Sequence, residues 1–309
     1  MKKATREALG AAVLKLGTEH KDIFVVDCDV AKSCKTLEFA EKFPEQHLNM
    51  GISEQNAMGV AAGLAASGKI PFVVTYAVFG SLRALEQIRQ EACYTNLPVK
   101  VLCSHGGLTP ANDGASHQCI EDMGVLRTIP NMTVIMPADY ASACKLIEKA
   151  YAYPGPVYLR FTRDAIPCIY EEKDDFEIGK AKRLKEGDKL TIFANGDTLS
   201  LALEAANRLE KDGISASVFD IHTIKPLDVD VVKEAIETTG KIITVEDHNI
   251  INGLGSAVCE VVAEEGRGKV IRIGVQDQFG ESAPYEKLLE KNGITIENIC
   301  NKAKELVSI

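Results

Sequence analysis

Two kinds of apolar pattern alternate along the chain. Short, nearly continuous apolar runs, namely DIFVVDCD from Asp22, PFVVTYAVF from Pro71, PVKVLCSH from Pro98 and PVYLRFT from Pro156, have the composition of strands buried on both faces. Between them lie segments whose apolar residues recur at helical spacing: the opening MKKATREALGAAVLKLG, the stretch around GISEQNAMGVAAGLA, LRALEQIRQEACY, and a segment starting near Asp139. This rhythm predicts an α/β fold with parallel strands. A charged stretch, EEKDDFEIGKAKRLKEGD from Glu171, interrupts it before KLTIFANG, ASVFDIHTIKP and KIITVED open a second series. The pattern therefore predicts two doubly wound domains, residues 1–170 and 186–309, joined by a linker over 171–185.

One predicted helix carries an unusual charge. In NMGISEQNAMGVAAGLAASG, Ser53 suits an N-cap, Gly59 and Gly63 admit a neighbouring backbone, and Ser67-Gly68 reads as the end. The lone acid of this small, apolar helix is Glu54. In the first turn it can simply complement the helix dipole. In a pocket of low dielectric, where ionisation is disfavoured, the same carboxyl can share a proton with a ring nitrogen.

Composition narrows the function classes. The 309 residues, 46% hydrophobic and 26% charged, are those of an ordinary globular protein, and a formal charge of -9 argues against gripping a nucleic-acid backbone. No apolar run is long enough to cross a membrane, and the N-terminal segment lacks the apolar core of a signal peptide. Nine cysteines without a CxxC pair read as reduced thiols, so a cytoplasmic location is expected. Cys103-Ser-His105 and His117-Gln-Cys119 are too tightly spaced for the usual zinc pairs, and no metal site is assigned. The Gly-x-Gly step in HNIINGLGSAVCEV lacks the other features of a dinucleotide fingerprint.

The motif GISEQNAMGVAAGLA followed by PFVVTYAVF resembles the pyrimidine-binding domain of transketolase-type thiamin diphosphate enzymes, and the resemblance extends over nearly the whole chain. It implies that Glu54 holds N1′ of the cofactor's aminopyrimidine, that Tyr76 and Phe79 stack on that ring, and that Asp29 lies near the cofactor and a subunit interface. A third aromatic position of the family is Leu82 here. In SHGGLTPANDGASHQ, the resemblance implies that His105 contacts substrate phosphate, Asp113 the α-hydroxyl and His117 the reacting hydroxyls, both histidines assisting proton transfer. Arg6, Ser33 and Arg163 match the family's phosphate contacts, with Arg163 preferred over Arg160; a planar guanidinium suits phosphate oxygens. The TPAND step departs from the family's commoner pattern and bears on substrate preference. The second domain resembles the family's C-terminal domain and receives no catalytic residue.

The family binds the cofactor's diphosphate through Mg2+ or Ca2+ with a GDG motif and a later Asn step, which this chain lacks. The resemblance therefore implies half an enzyme: a partner, the N-terminal transketolase subunit, supplies the metal and diphosphate ligands in an α2β2 heterotetramer. The implied reaction moves a two-carbon ketol unit, carried as a carbanion on thiamin diphosphate, from a ketose phosphate to an aldose phosphate. The β component of a 2-oxoacid dehydrogenase and a 1-deoxyxylulose-5-phosphate synthase-like enzyme are sister readings. A noncatalytic partner of the same fold is the reading from another class.

Overall fold

The structure is a computed structural model and describes residues 1–308. Apolar runs that alternate with helical segments cannot pair as hairpins, so they line up in parallel with the helices on both faces. A seven-stranded sheet runs in the order Thr223–Lys225, Thr133–Ile135, Val157–Arg160, Lys100–Ser104, Ile70–Tyr76, Ile23–Asp27, His47–Asn49. All adjacent pairs are parallel except the first. On one face the helix Thr5–Glu19 packs on Tyr140–Ala152, burying Leu9, Val13, Leu146 and Ile147. The helix Glu54–Ala66 covers the other face, where Ala57, Met58 and Ala61 meet Ile88.

A five-stranded sheet follows, ordered Lys269–Val275, Lys241–Asn249, Leu190–Ala194, Ala216–Asp220, Lys182–Lys185, and parallel except at its last strand. The two halves are less separate than the sequence pattern implies. Thr223–Lys225, from the second series, pairs antiparallel with Thr133–Ile135 and becomes an edge of the first sheet. Lys182–Lys185, inside the stretch expected as linker, is likewise a strand of the second sheet. Its one apolar residue, Leu184, stands among Lys182, Arg183 and Lys185, which hides a strand within a charged run.

LRALEQIRQEACY is helical as expected, but with a widened backbone: Phe79–Arg83 and Ile88–Tyr94 are π-type turns flanking the short α turn Leu85–Gln87. Such turns are rare, and they rotate the side chains that follow.

Candidate functional site

In an open α/β sheet, ligand groups gather where strands end and the strand order reverses. The reversal in the seven-stranded sheet lies between Ile23–Asp27 and Ile70–Tyr76, whose successors carry most of the expected residues. Asp29 and Ser33 follow the first, Tyr76 ends the second, and Phe79 opens the next helical turn. His105 follows Lys100–Ser104, Glu54 follows His47–Asn49 by a short turn, and Arg163 lies just beyond Val157–Arg160. Arg6 comes from the first turn of Thr5–Glu19, held there because Thr5 and Thr162 exchange hydrogen bonds, with Thr162 N donating to Thr5 Oγ1 at 2.6 Å.

Tyr76, Phe79, His105 and His117 form one cluster, with Ser33 and Arg6 joined to it. The Tyr76 ring lies 4.0 Å from His105 and 6.3 Å from both Phe79 and His117, while Phe79 meets His117 edge-on at 5.5 Å. Tyr76 Oη donates to Ser33 Oγ at 2.9 Å, and Arg6 Nη1 donates to the Ser33 carbonyl at 3.2 Å. His105 sits at φ 63°, a left-handed backbone costly for a residue with a side chain, and its Nδ1 lies 2.7 Å from Ser104 Oγ. Burial, reinforced by the charges of Arg6, Arg163 and His117, lowers the His105 imidazole to about 3. It is neutral at physiological pH, so it can meet a phosphate only as a hydrogen-bond partner and not as a cation.

Arg163 Nη2 lies 3.6 Å from Asp113 Oδ1, and its Nη1 donates to the Pro110 carbonyl at 3.0 Å. Arg6 Nε is buried with no acceptor. The competitor Arg160 is fully buried and turned into the protein, where it faces Asp122 and Asp247 at 3.5 and 3.6 Å. Asp29 is separate from the aromatic cluster; at φ 65° on the exposed rim it accepts from Asn49 Nδ2 at 3.2 Å.

Glu54 is 2% exposed, and Arg83 Nη1 donates to its Oε2 at 2.9 Å. The Arg83 guanidinium also covers the Phe79 ring, 4.7 Å from the centroid. Sequence reasoning passed over Arg83 because an arginine in LRALEQIRQ looks like the wet face of a helix. Its signal was positional, one turn beyond Phe79. Burial, then the charges of Glu54 and Asp27, push the neighbouring Cys28 thiol up to about 12. Ser53 precedes the helix as expected, but its hydroxyl turns back to the Met50 carbonyl at 2.7 Å and caps nothing. Gly59 packs near Glu91, whereas Gly63 faces open space.

The remaining candidates resolve simply. Cys103 and Cys119 are buried among apolar side chains with thiols held well above their usual range, and the described residues contain no cluster of three or more metal-ligating side chains. At the Gly-x-Gly step, Glu246 accepts from Leu254 N and Gly255 N at 2.7 and 2.8 Å, filling the helix start with the chain's own carboxyl. A side chain at Gly253 would lie 2.0 Å from that carboxyl, so the glycine serves close packing.

Comparison with known proteins gives the family. Residues 1–168 match the family model for the transketolase pyrimidine binding domain, and residues 179–299 match that for the transketolase C-terminal domain. A Methanocaldococcus jannaschii protein provisionally described as a transketolase C-terminal section is 42% identical over 306 residues, 98% of this chain and 96% of that protein. One of the subunits of the apulose-4-phosphate transketolase of Phocaeicola vulgatus is 39% identical over 305 residues, 98% of this chain and 97% of that one. A solved structure titled split gene transketolase, inactive beta4 tetramer, superposes with a TM-score of 0.91 at 46% identity, covering 99% of this chain and 98% of that chain. With both domain matches and relatives of this identity along its length, the chain belongs to the transketolase family.

Proposed function

We propose that this chain is the C-terminal half of a two-chain transketolase, and that with its partner it moves a two-carbon ketol unit from a ketose phosphate to an aldose phosphate. The observation carrying this reading is the convergence, at one sheet edge, of a buried carboxylate with an aromatic and histidine cluster and an arginine Nε lacking an acceptor. The family uses thiamin diphosphate, and these residues fit it: a carboxylate for a ring nitrogen, flat faces for a heterocycle, unspent donors for a phosphorylated substrate.

Glu54 would hold the pyrimidine nitrogen through Oε1, the oxygen that Arg83 leaves free when it donates to Oε2 at 2.9 Å. Tyr76 and Phe79 would form the wall of the ring pocket, with Asp29 at its outer rim. When bound, thiamin diphosphate supplies an electron sink for the transferred carbons. His117 and the neutral His105 would hold the sugar hydroxyls and take or return their protons. Arg6 and Arg163, with Ser33, would grip the distal phosphate; as Arg163 turns to it, Asp113 is released to accept from a substrate hydroxyl.

The reading leaves the diphosphate and its Mg2+ or Ca2+ to the partner, the N-terminal transketolase subunit, in an α2β2 assembly. The solved relative titled as an inactive beta4 tetramer supports the need for a second chain. A relative that acts on apulose 4-phosphate supports a substrate drawn more widely from sugar phosphates, consistent with the unusual TPAND step. The test is copurification with a GDG-bearing chain, followed by a coupled assay over ketose and aldose phosphates with thiamin diphosphate and Mg2+. Turnover is expected only with both chains. Full turnover by this chain alone would end the split-enzyme reading, and oxidation of pyruvate with a lipoyl acceptor in place of ketol transfer would replace it.

A further inference from the structure

We propose that the second sheet's domain, which supplies none of the candidate site side chains, positions the substrate loop, with Ser282 of that domain and Gln118 of the loop itself as the positioning residues. The inference rests on the functional reading above, in which the loop from Gly106 to Gln118 faces the sugar. That loop has almost no regular structure: one short 3-10 turn, Ala111–Asp113, with left-handed backbone at Gly107, Ala111 and Gly114 (φ 60°, 55° and 81°). Such a segment, left to its own preferences, would sample many conformations, and Asp113 and His117 would move with it.

Its order comes from across the domain boundary. At the base, Leu108 N donates to both oxygens of Asp247, at 3.1 and 3.0 Å, and a side chain on Gly107 would lie 2.0 Å from Asp247 Oδ2. At the tip, Ser282 Oγ donates to the Asn112 carbonyl at 2.6 Å, on the peptide that leads into Asp113. Gln118, 4% exposed and adjacent to His117, donates from Nε2 to the Ala111 carbonyl at 3.1 Å and the Glu281 carbonyl at 2.8 Å. Gly280 makes the close approach possible, since a side chain there would fall 1.6 Å from Gln118 Oε1. Ser282 and Glu281 thus hold the Asn112 carbonyl and the Gln118 side chain, which belong to the chain neighbours of Asp113 and His117. Substrate preference is therefore encoded partly in residues far along the chain from the loop that meets the substrate.

Ser282 is exposed, so Ser282→Ala keeps the fold. In the free chain, hydrogen exchange of the amides between Leu108 and Gln118 is expected to accelerate in this variant. In the two-chain enzyme, KM for the sugar phosphate that the wild type uses is expected to rise about fivefold, the cost of one hydrogen bond. The kcat and the half-saturating thiamin diphosphate concentration stay unchanged, and Ser282→Thr restores both loop exchange and KM. Unchanged exchange, or faster exchange with KM unmoved, overturns the proposal. Absence of all sugar-phosphate turnover in the wild-type assembly would instead defeat the functional reading, and the exchange measurement alone would then decide whether the clamp exists.

Discussion

At the C-terminal edge of the seven-stranded sheet, the crevice between Ile23–Asp27 and Ile70–Tyr76 opens onto a carboxylate, stacked rings and an arginine, Arg6, whose Nε has no acceptor. The corresponding crevice of the five-stranded sheet, where the order reverses between Leu190–Ala194 and Lys241–Asn249, is shut. Asp247 there is taken by Leu108 N and by Arg160, and His248 Nε2 accepts from Gly124 N at 3.1 Å. Burial drives Asp197 well above the usual carboxylate range and its neighbour Asp247 in the same direction, against the pull of Arg160. The same topology thus yields a candidate site in one half and a charged joint in the other. What separates them is whether the first domain's loops are inserted: Gly107 lies so close to Asp247 that a side chain on it would fall 2.0 Å from Asp247 Oδ2.

Replacing Glu54 attacks the open crevice and has the largest effect. Glu54→Gln in the assembled enzyme should lower turnover about 100-fold or more while the circular dichroism spectrum of the chain is retained. Turnover near that of the wild type would remove Glu54 from the chemistry. The shut crevice predicts a stability effect instead. Arg160→Met leaves Asp122 and Asp247 buried and unpaired, and denaturant unfolding should show a loss of about 3 to 5 kcal/mol. A loss well under 1 kcal/mol, the scale of a surface substitution, would mean that charge pairing does not hold the joint.

The smallest effect concerns His105, where the two crevices act alike through burial. Its folded imidazole binds a proton less readily than the unfolded one, so as pH falls below 6.5 the unfolded chain is protonated first. The stability contributed by neutral His105 is present above 6.5 and is lost as pH falls toward about 3. In NMR titration its ring proton should show no inflection between about pH 8 and 5. An inflection near 6.5, the unperturbed value, would place the ring in water.

Much of this was legible in the chain because strands buried on both faces leave short, nearly continuous apolar runs. DIFVVDCD, PFVVTYAVF, PVKVLCSH and PVYLRFT all contain strands, and the polar residues that follow them mark the ligand edge. Three features were not legible. Arg83 reads as a solvated helix residue until the π-type turn brings it over Phe79 and onto Glu54. Arg160 and Arg163 are equally good phosphate partners by composition, and only tertiary packing sends Arg160 to Asp122 and Asp247. The swap of Thr223–Lys225 into the first sheet depends on pairing across nearly ninety residues of chain, which local pattern does not encode.

The central claim is that Glu54 meets a heterocycle delivered in a complex with a second chain. A crystal structure of the two-chain assembly with thiamin diphosphate tests it most directly. A Glu54 carboxylate oxygen is expected within about 2.6 to 3.2 Å of a pyrimidine nitrogen. A carboxylate paired with Arg83 alone, with no ring in reach, would contradict the claim.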